Sequence, residues 1–329
     1  TAPTIGLQRF REHCVPLYDE LAGMLAGLSA GAVTPGCLFS APRHRGPQTA
    51  HFDGERFANQ GAPAEKSFFD FLAWMFDRER GPWTGTEGAQ PGPPPPRKVE
   101  PGALRVTFVN HATVLIQIDG LNLLTDPIWS ERASPVSWAG PRRVHPPGLR
   151  FEDLPPIDLV LISHNHYDHL DLPTLERLAR EHDPVVLTGL GNRKLLARRR
   201  IERVAELDWW DRVDVGKGVR VTFVPARHFS SRGLVDRNAT LWGGFVLQTS
   251  RDTVYFAGDT GFGPHFAQIR QAFGPVTLAM LPIGAFRPRW FMSPVHISPE
   301  EAVRAHRILD AGLSMAIHFG TFPLGDDGE

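Results

Sequence analysis

The fold and the function of this chain are decided by one stretch, Ser163-His164-Asn165-His166-Tyr167-Asp168-His169-Leu170-Asp171. It places three imidazoles and two carboxylates within nine residues. The run directly before it, Ile157-Asp158-Leu159-Val160-Leu161-Ile162, is apolar and rich in β-branched residues, which predicts a buried strand. A buried strand that ends in such a cluster predicts a metal site at the strand end.

The spacing within this stretch indicates how it would bind metal. His164 and His166 lie two residues apart, so their side chains can converge on one ion from an extended or loop backbone. Asp168 and His169 follow one turn later and can face a second ion. Imidazole nitrogen and carboxylate oxygen without a nearby cysteine favour Zn²⁺, with Mn²⁺, Fe or Co as rivals. The alternative, a polar loop with scattered histidines, is disfavoured by the density of potential ligands.

The hexapeptide His-Asn-His-Tyr-Asp-His, with the strand before it, resembles the HxHxDH signature of the metallo-β-lactamase superfamily. The longer string through Leu170-Asp171 resembles the branch that contains N-acylphosphatidylethanolamine-hydrolysing phospholipase D. Residues 206–210, 293–303 and 314–322 are similar to the same branch, and the resemblance covers residues 51–323. It implies an α/β fold, a four-layer αββα sandwich with both metals at one edge between two sheets. Periodicity alone predicts only mixed α/β structure.

Three later strands are each predicted to end in another candidate ligand. His228 follows the strand 219–224, Asp259 follows 253–256, and His318 follows 315–317. The resemblance implies that His164, His166 and His228 hold a first zinc, that Asp168, His169 and His318 hold a second, and that Asp259 bridges the two. Zinc brings the pKa of bound water to about 7, so a bridging hydroxide is expected to be the nucleophile. Asp168 is counted among the catalytic residues as well as among the ligands.

Three other side chains are candidates for supporting roles. His296 is similar in position to a histidine that faces the substrate in the phospholipase D branch, where it would polarise a phosphoryl oxygen or protonate a leaving alkoxide. The alternative is a residue that only begins a helix. His111 and Asp126 are predicted to orient the metal-bound imidazoles, or else to be satisfied turn residues.

Composition sets broad limits on the chain. Its 329 residues, 42% of them hydrophobic, are enough for one large domain or two. A net charge of −1 gives no general indication of nucleic-acid binding. Cys14 and Cys37 are compatible with one disulfide and equally with two free thiols.

No apolar run reaches the ~20 residues that span a bilayer. Because the sequence begins at Thr1 without Met, the sequence leaves open whether a signal segment precedes it. It also leaves the compartment open between a soluble and a peripheral membrane protein, in a bacterial cytoplasm or cell envelope.

Two units are predicted, residues 1–47 and residues 48–329. Apolar residues at steps of three and four predict an amphipathic helix to about Leu28, followed by a loop rich in Gly and Pro. Docking on the catalytic unit is favoured over a membrane-seeking role. The run Pro91–Pro96 is predicted to be a stiff extended connector. The basic helix predicted at residues 190–200 is typical of a solvated face, with a lipid-headgroup patch as the alternative.

Strands 105–109, 113–118 and 121–124 are predicted to form an antiparallel meander, with Asp119-Gly120 as a hairpin turn. Strands 242–247 and 253–256 are predicted to form a hairpin as well, and helices are predicted at 172–180 and 299–309. The two halves of the chain are therefore both expected to be rich in strands.

The resemblance implies a zinc-dependent phosphodiesterase of phospholipase D type. It would hydrolyse N-acylphosphatidylethanolamine or a related phospholipid to phosphatidate and the free headgroup. One alternative is a lactonase or other ester hydrolase on the same dinuclear site, and another is a non-catalytic metal-bound scaffold. The expected partner is a phospholipid or other small phosphodiester, with peripheral membrane contact. Nucleic acid is not expected, and no oligomeric state is predicted.

Overall fold

The computed structural model describes residues 39–61, 66–85 and 90–328. The amphipathic helix predicted up to Leu28, and both cysteines, lie outside these residues. Residues 39–47 are described and contact the predicted catalytic unit: the Ala41 N–H donates to Asp236 Oδ2 at 2.6 Å, and the His44 N–H donates to the Ala239 carbonyl at 3.0 Å. The division of the chain at residue 47 stays a prediction.

The first β-sheet has six strands in chain order. Its strands are β1 Leu104–Asn110, β2 Thr113–Ile118, β3 Leu121–Thr125, β4 Leu159–Ile162, β5 Val185–Gly189 and β6 Val204–Leu207. The first three are antiparallel, which confirms the predicted meander, and β3 to β6 are parallel. Asp119 and Gly120 join β2 to β3 with φ angles of 48° and 74°, as the two central residues of a type I′ turn require.

The second sheet also has six strands, in the order β12-β11-β10-β9-β8-β7. They are β7 Arg212–Asp214, β8 Arg220–Val224, β9 Gly244–Gln248, β10 Thr253–Phe256, β11 Leu278–Pro282 and β12 Leu313–Ile317. Strands β7 to β10 are antiparallel, which confirms the predicted β9–β10 hairpin, and β10 to β12 are parallel. Each sheet thus joins an antiparallel meander to a parallel part.

Six α-helices lie within the described ranges: α1 Phe68–Phe76, α2 Leu172–Glu181, α3 Arg193–Ala197, α4 His265–Phe273, α5 Arg289–Met292 and α6 Pro299–Ile308. Helix α6 begins with a capping box, in which Ser298 and Glu301 satisfy each other's backbone N–H groups. Helix α1 begins with the same motif, made by Ser67 and Asp70. None of these helices is long and apolar enough to cross a membrane.

The alternation of side chains along the strands produces four layers. Leu161 of β4 packs between the sheets with Phe223 and Phe245 of the second sheet. Its neighbour Val160 faces the opposite way, where it packs with Leu178 of α2. On the far side of the second sheet, buried residues of β9 to β11 pack against α4 and α6 in the same manner. The predicted α/β fold with a four-layer αββα arrangement is confirmed.

Some boundaries differ from the predictions. The basic helix is α3, which spans only Arg193–Ala197, because Gly191 before it and Arg200 after it both have positive φ angles. The sequence analysis does not predict the short elements β6, β7, α4 and α5, since few of them have a clear hydrophobic periodicity. The segment predicted as a stiff connector, Pro91–Pro96, is mostly exposed but is hydrogen-bonded to the sandwich, with the Pro96 carbonyl accepting from Gln117 Nε2 at 2.8 Å.

Candidate metal centre

The predicted ligands meet at one edge of the sandwich. His164 follows the carboxyl end of β4, Asp259 follows β10, and His318 follows β12. His228 follows β8, which lies in the same sheet as β10 and β12. These four side chains are 1–3% exposed, so the strand ends present them to one another inside the protein.

Three imidazoles form the first group. His164 Nε2 lies 2.8 Å from His166 Nδ1, and His228 Nε2 lies 3.2 Å from the same His166 atom. His164 and His166 come from the loop after β4, whereas His228 comes from the other sheet. Their ring nitrogens converge on one point, where they could hold a metal ion together.

Two imidazoles and two carboxylates form the second group. His169 Nε2 lies 3.1 Å from Asp168 Oδ2 and 3.2 Å from Asp259 Oδ2. His318 Nε2 lies 3.4 Å and 3.0 Å from the same two oxygens. Four donor atoms of suitable type therefore surround a second point.

Asp259 lies between the groups. Its Oδ2 atom is 3.9 Å from His164 Nε2 and 3.7 Å from His228 Nε2, in addition to its contacts with His169 and His318. Gly258 before it has a φ of +60°, and a Cβ there would lie 2.6 Å from the Ser163 Cβ. A glycine is therefore needed for the chain to bring Asp259 into this position.

The donor set fits divalent metal ions. His169 Nε2, His318 Nε2 and Asp259 Oδ1 are buried without a hydrogen-bond partner. Buried polar atoms are otherwise nearly always paired, so these converging atoms lack the partner that a cation would supply. The mixture of imidazole and carboxylate suits zinc and the neighbouring transition metals.

The outer nitrogens of the rings are held by polar groups. His169 Nδ1 lies 2.6 Å from Asp126 Oδ2, and His228 Nδ1 lies 3.0 Å from the Val295 carbonyl. Ser163 Oγ donates to Asp126 Oδ2 at 2.5 Å and lies 2.9 Å from His164 Nδ1. These contacts orient the rings so that Nε2 faces the centre, the arrangement that metal-bound histidines usually require. Asp126 thus makes the contact predicted for it.

His111 reaches the centre from the loop between β1 and β2. Its Nε2 atom lies 2.9 Å from Asp168 Oδ2, and its backbone carbonyl accepts from the His318 N–H at 2.7 Å. It therefore contacts one predicted ligand directly and positions another through the backbone. Its own φ is +46°, a conformation that non-glycine residues adopt only where the surroundings impose it.

Burial keeps the first group of imidazoles neutral. It lowers the pKa of His166 to about 3 and holds the pKa values of His164 and His228 well below their ordinary value. A neutral imidazole has a free lone pair. These three rings can therefore donate to a metal ion at neutral pH without first losing a proton.

The two carboxyl groups of the second group are ionised. Burial disfavours ionisation of Asp168 and Asp259, but the neighbouring His169 outweighs burial and holds the pKa of both carboxyls well below the usual range. Burial also opposes protonation of His318, yet the charge of Asp259 outweighs it and raises the pKa of His318 to about 9. Two ionised carboxylates that stabilise positive charge on the neighbouring imidazoles also attract metal cations.

A cavity of 580 Å³ opens over this centre. His166, His228, Asp259, His296 and His318 lie at its polar floor. Its walls are mostly apolar, and the apolar lining residues are Phe71, Trp74, Phe229, Leu234, Ala285, Phe291, Met292, Pro294, Val295 and Leu324. Lys66 and Arg237 also line it. His296 Nδ1 lies 4.0 Å from Asp259 Oδ2, is buried and has no hydrogen-bond partner.

The wall beside α1 was not predicted from the sequence. Trp74 stacks on Phe291 of α5 with ring centroids 5.0 Å apart. Its indole N–H donates to Asp326 Oδ2 at 2.9 Å, and Arg78 Nε donates to Asp326 Oδ1 at 2.7 Å. These partners lie more than two hundred residues apart, so no local sequence pattern could have joined them.

Comparison with known proteins identifies the family. Residues 121–319 match the model of the beta-lactamase superfamily domain. The chain belongs to the metallo-β-lactamase superfamily. Within this superfamily it is 31% identical over 67% of its length to a metal-dependent hydrolase of Methanopyrus kandleri, of which it covers 86%. The sandwich is also similar to that of Igni18, a metallo hydrolase from Ignicoccus hospitalis, with a TM-score of 0.52, 22% identity and coverage of 68% of this chain and 86% of that one.

A further member of the superfamily has a more specific name. The chain is 41% identical over 68% of its length to N-acyl-phosphatidylethanolamine-hydrolyzing phospholipase D 1 of Caenorhabditis elegans. The match spans 65% of the length of the worm protein. The predicted family resemblance is confirmed. The family and the His/Asp cluster together support a metal-dependent hydrolase, whereas the ligand role of each of the seven side chains stays a prediction.

Proposed function

We propose that this chain is a dinuclear zinc phosphodiesterase of phospholipase D type. Its proposed substrate is N-acylphosphatidylethanolamine or a related phospholipid, which it would hydrolyse to phosphatidate and the free headgroup. The observation that carries the proposal is the position of Asp259 Oδ2, 3.0–3.9 Å from imidazole nitrogens of both groups, beneath an apolar cavity. The name of the worm relative supports the choice of substrate.

In this proposal the seven predicted ligands divide between two ions. His164, His166 and His228 would hold one ion, Asp168, His169 and His318 the other, and Asp259 both. Such a pair supplies Lewis acidity and lowers the pKa of bound water to about 7, which provides a nucleophile at neutral pH. The protein contributes the fixed geometry, because Asp126 and Ser163 contact the outer Nδ1 atoms of His169 and His164 and so orient these rings.

His296 is the proposed contact to the reacting group. Burial lowers its pKa to about 4, so its ring is neutral at pH 7 and can donate one hydrogen bond. Its Nδ1 atom faces the cavity floor without a partner. In the Nδ1–H tautomer it would donate to a phosphoryl oxygen, where negative charge develops as the phosphodiester is attacked.

The cavity favours a lipid over a small soluble phosphodiester. Its volume of 580 Å³ lies within the range of small-molecule sites. The rings of Phe71, Trp74 and Phe291 suit an acyl chain, while Lys66 and Arg237 suit a phosphate. A small soluble diester would leave this apolar wall in contact with water, which costs the free energy that a bound acyl chain recovers.

A substrate panel tests the proposal. Purified protein is incubated with phospholipids in mixed micelles, with lactones and with nucleic acid, and each reaction is repeated with a chelator and after zinc is restored. We expect phosphatidate release from the phospholipid that stops with chelator and returns with zinc. Faster turnover of lactones would favour the ester-hydrolase alternative. Two bound ions with no turnover of any substrate would favour the scaffold.

A further inference from the structure

Helix α1 is apolar on nearly every side. Its sequence, FFDFLAWMF, contains Asp70 as the one polar residue, and Asp70 is engaged in the capping box with Ser67. A surface helix usually has one apolar face toward the core and one polar face toward water. Met75 and Phe76 depart from this pattern, because they are 45% and 73% exposed.

The inner side of α1 already has its partners. Trp74 is buried against Phe291 and donates to Asp326. These contacts fix the helix beside the cavity and leave its outer side in water. Met75 and Phe76 lie on this outer side, where most of the Phe76 side chain is in contact with water.

Apolar side chains are exposed on other segments near the mouth of the cavity. Leu234, which lines the cavity, is 83% exposed, and Val235 after it is 47% exposed. Trp290, next to the wall residue Phe291, is 48% exposed, and Lys66 Nζ lies 5.5 Å from its ring centroid. Clustered exposure of large apolar residues marks an interaction surface more often than single exposed residues do.

We infer that these residues dock on the surface of a phospholipid bilayer. The mouth patch is Met75, Phe76, Leu234, Val235 and Trp290. The inference rests on the proposed function, because a phospholipid reaches the metal centre only if the mouth of the cavity faces the bilayer. It assigns this contact to residues 75–76, 234–235 and 290, whereas from the sequence alone membrane contact by residues 1–47 is the less favoured of two alternatives.

Charge and continuity indicate a bilayer as the occupant. Lys66 and Arg237 line the cavity beside the apolar patch, as expected where acyl chains meet a layer of phosphates. Phe71 and Leu234 belong both to the cavity lining and to the exposed surface, so a lipid could move from the bilayer to the cavity along apolar contacts. A second protein chain seated here would close the mouth to substrate.

The salt dependence of docking follows from the balance of charges in the same segment. The acidic residues Asp70, Asp77 and Glu79 alternate with the basic residues Lys66, Arg78 and Arg80, so α1 and its flanks have little net charge. Docking therefore depends mainly on the burial of apolar side chains. Salt screens exposed charges but does not weaken apolar burial, so binding is expected to change little between low and physiological ionic strength.

The test compares two double variants of the full chain. Met75→Ser with Phe76→Ser removes apolar groups from the patch without changing a residue that lines the cavity. Ile308→Ser with Leu313→Ser is the matched control, since both residues are exposed: Ile308 ends α6, and Leu313 begins β12 at the end of the strand opposite His318. Cosedimentation with phosphatidylcholine vesicles measures docking independently of hydrolysis. A soluble chromogenic phosphodiester measures the metal centre.

We expect the patch variant to partition into vesicles at least tenfold more weakly than the parent chain, and the control variant to bind as the parent does. Both variants should keep the rate on the soluble diester. The inference is overturned if the parent does not bind vesicles, if both variants bind equally well, or if the patch variant changes the oligomeric state in size-exclusion chromatography. Vesicle binding without phospholipid hydrolysis would instead count against the proposed function alone.

Discussion

The floor of the cavity is polar and held by hydrogen bonds, whereas the wall beside α1 is apolar and held mainly by ring packing. Directly beneath the floor, His169 Nδ1 lies 2.6 Å from Asp126 Oδ2, and both side chains are fully buried. In the wall, Trp74 stacks on Phe291, and its indole N–H donates to Asp326. The floor is built on strand ends, and the wall is built on short helices and the last residues of the chain.

This difference separates the residues of the proposed reaction, in the floor, from the residues that admit a lipid, in the wall. Residues after strands have little freedom, because the strand ladder fixes where each side chain begins. The α1 wall is joined to the sandwich by few contacts, so it can change with less effect on the metal centre. Substitutions in the floor should therefore reduce turnover of every substrate, whereas substitutions in the wall should affect lipids alone.

The largest effect is expected from Asp259→Asn. A neutral amide bridges two cations poorly, so metal content should fall below two equivalents and turnover should fall on the order of 10³-fold for both lipid and soluble substrates. Elemental analysis and kcat/KM measure the two effects. Asp252→Asn, before the opposite end of β10, is the control. Full metal content and activity in the Asp259 variant would remove that residue from the proposed site.

His296→Ala should lower kcat roughly 10²-fold while both ions stay bound, because the substitution removes a proposed hydrogen bond to the reacting group but no proposed ligand. Steady-state kinetics and metal analysis of the same preparation distinguish these effects. His306→Ala, on α6 and paired with Ser314, is the control. An unchanged kcat would return His296 to a structural role.

Asp126→Asn should weaken metal binding by about 10- to 100-fold, since Asp126 orients the His169 ring through its Nδ1 atom without being a predicted ligand. Competition with a chelator of known affinity measures the change. Asp158→Asn, which affects a carboxylate before β4 at the end remote from the site, should leave metal affinity as it is. Equal metal affinities in the two variants would show that the orientation of His169 contributes little to metal binding.

Asp326→Ala should act on the wall and give the smallest effect. The change leaves the Trp74 indole N–H and the Arg78 guanidinium without their carboxylate, at a cost of about 1–3 kcal/mol in the local packing of α1. We expect KM for a long-chain phospholipid to rise several-fold and the rate on a soluble diester to stay the same. Asp310→Ala, which removes an exposed ion pair with Arg270, is the control. Equal losses on both substrates would contradict the separation of floor and wall.

The sequence predicts the floor far better than the wall. His164, His166, Asp168 and His169 are adjacent in the chain, so a short motif identifies them. Asp126 also had a signal, because it follows the predicted hairpin of strands 113–118 and 121–124.

His228 and His318 are single residues after strands, and only the family resemblance joined them to the motif. Their convergence depends on strand pairing in the second sheet, which a linear pattern does not specify. The contact between Trp74 and Asp326 spans 252 positions and has no periodic signal at all. The position of α1 over the cavity depends on such long-range contacts.

The candidate ligands are divided between the two sheets: His164 follows β4 of the first, whereas Asp259 and His318 follow strands of the second. The complete set would therefore form only when the sheets are docked, so ions would bind the folded chain more tightly than the unfolded one. By mass action, an ion at a free concentration 100 times its Kd stabilises the folded state by about 2.7 kcal/mol, and at 1,000 times by about 4.1 kcal/mol. The melting temperature of this sandwich is then expected to follow the supply of free metal, so that metal-starved protein unfolds, and is degraded, sooner than metal-loaded protein.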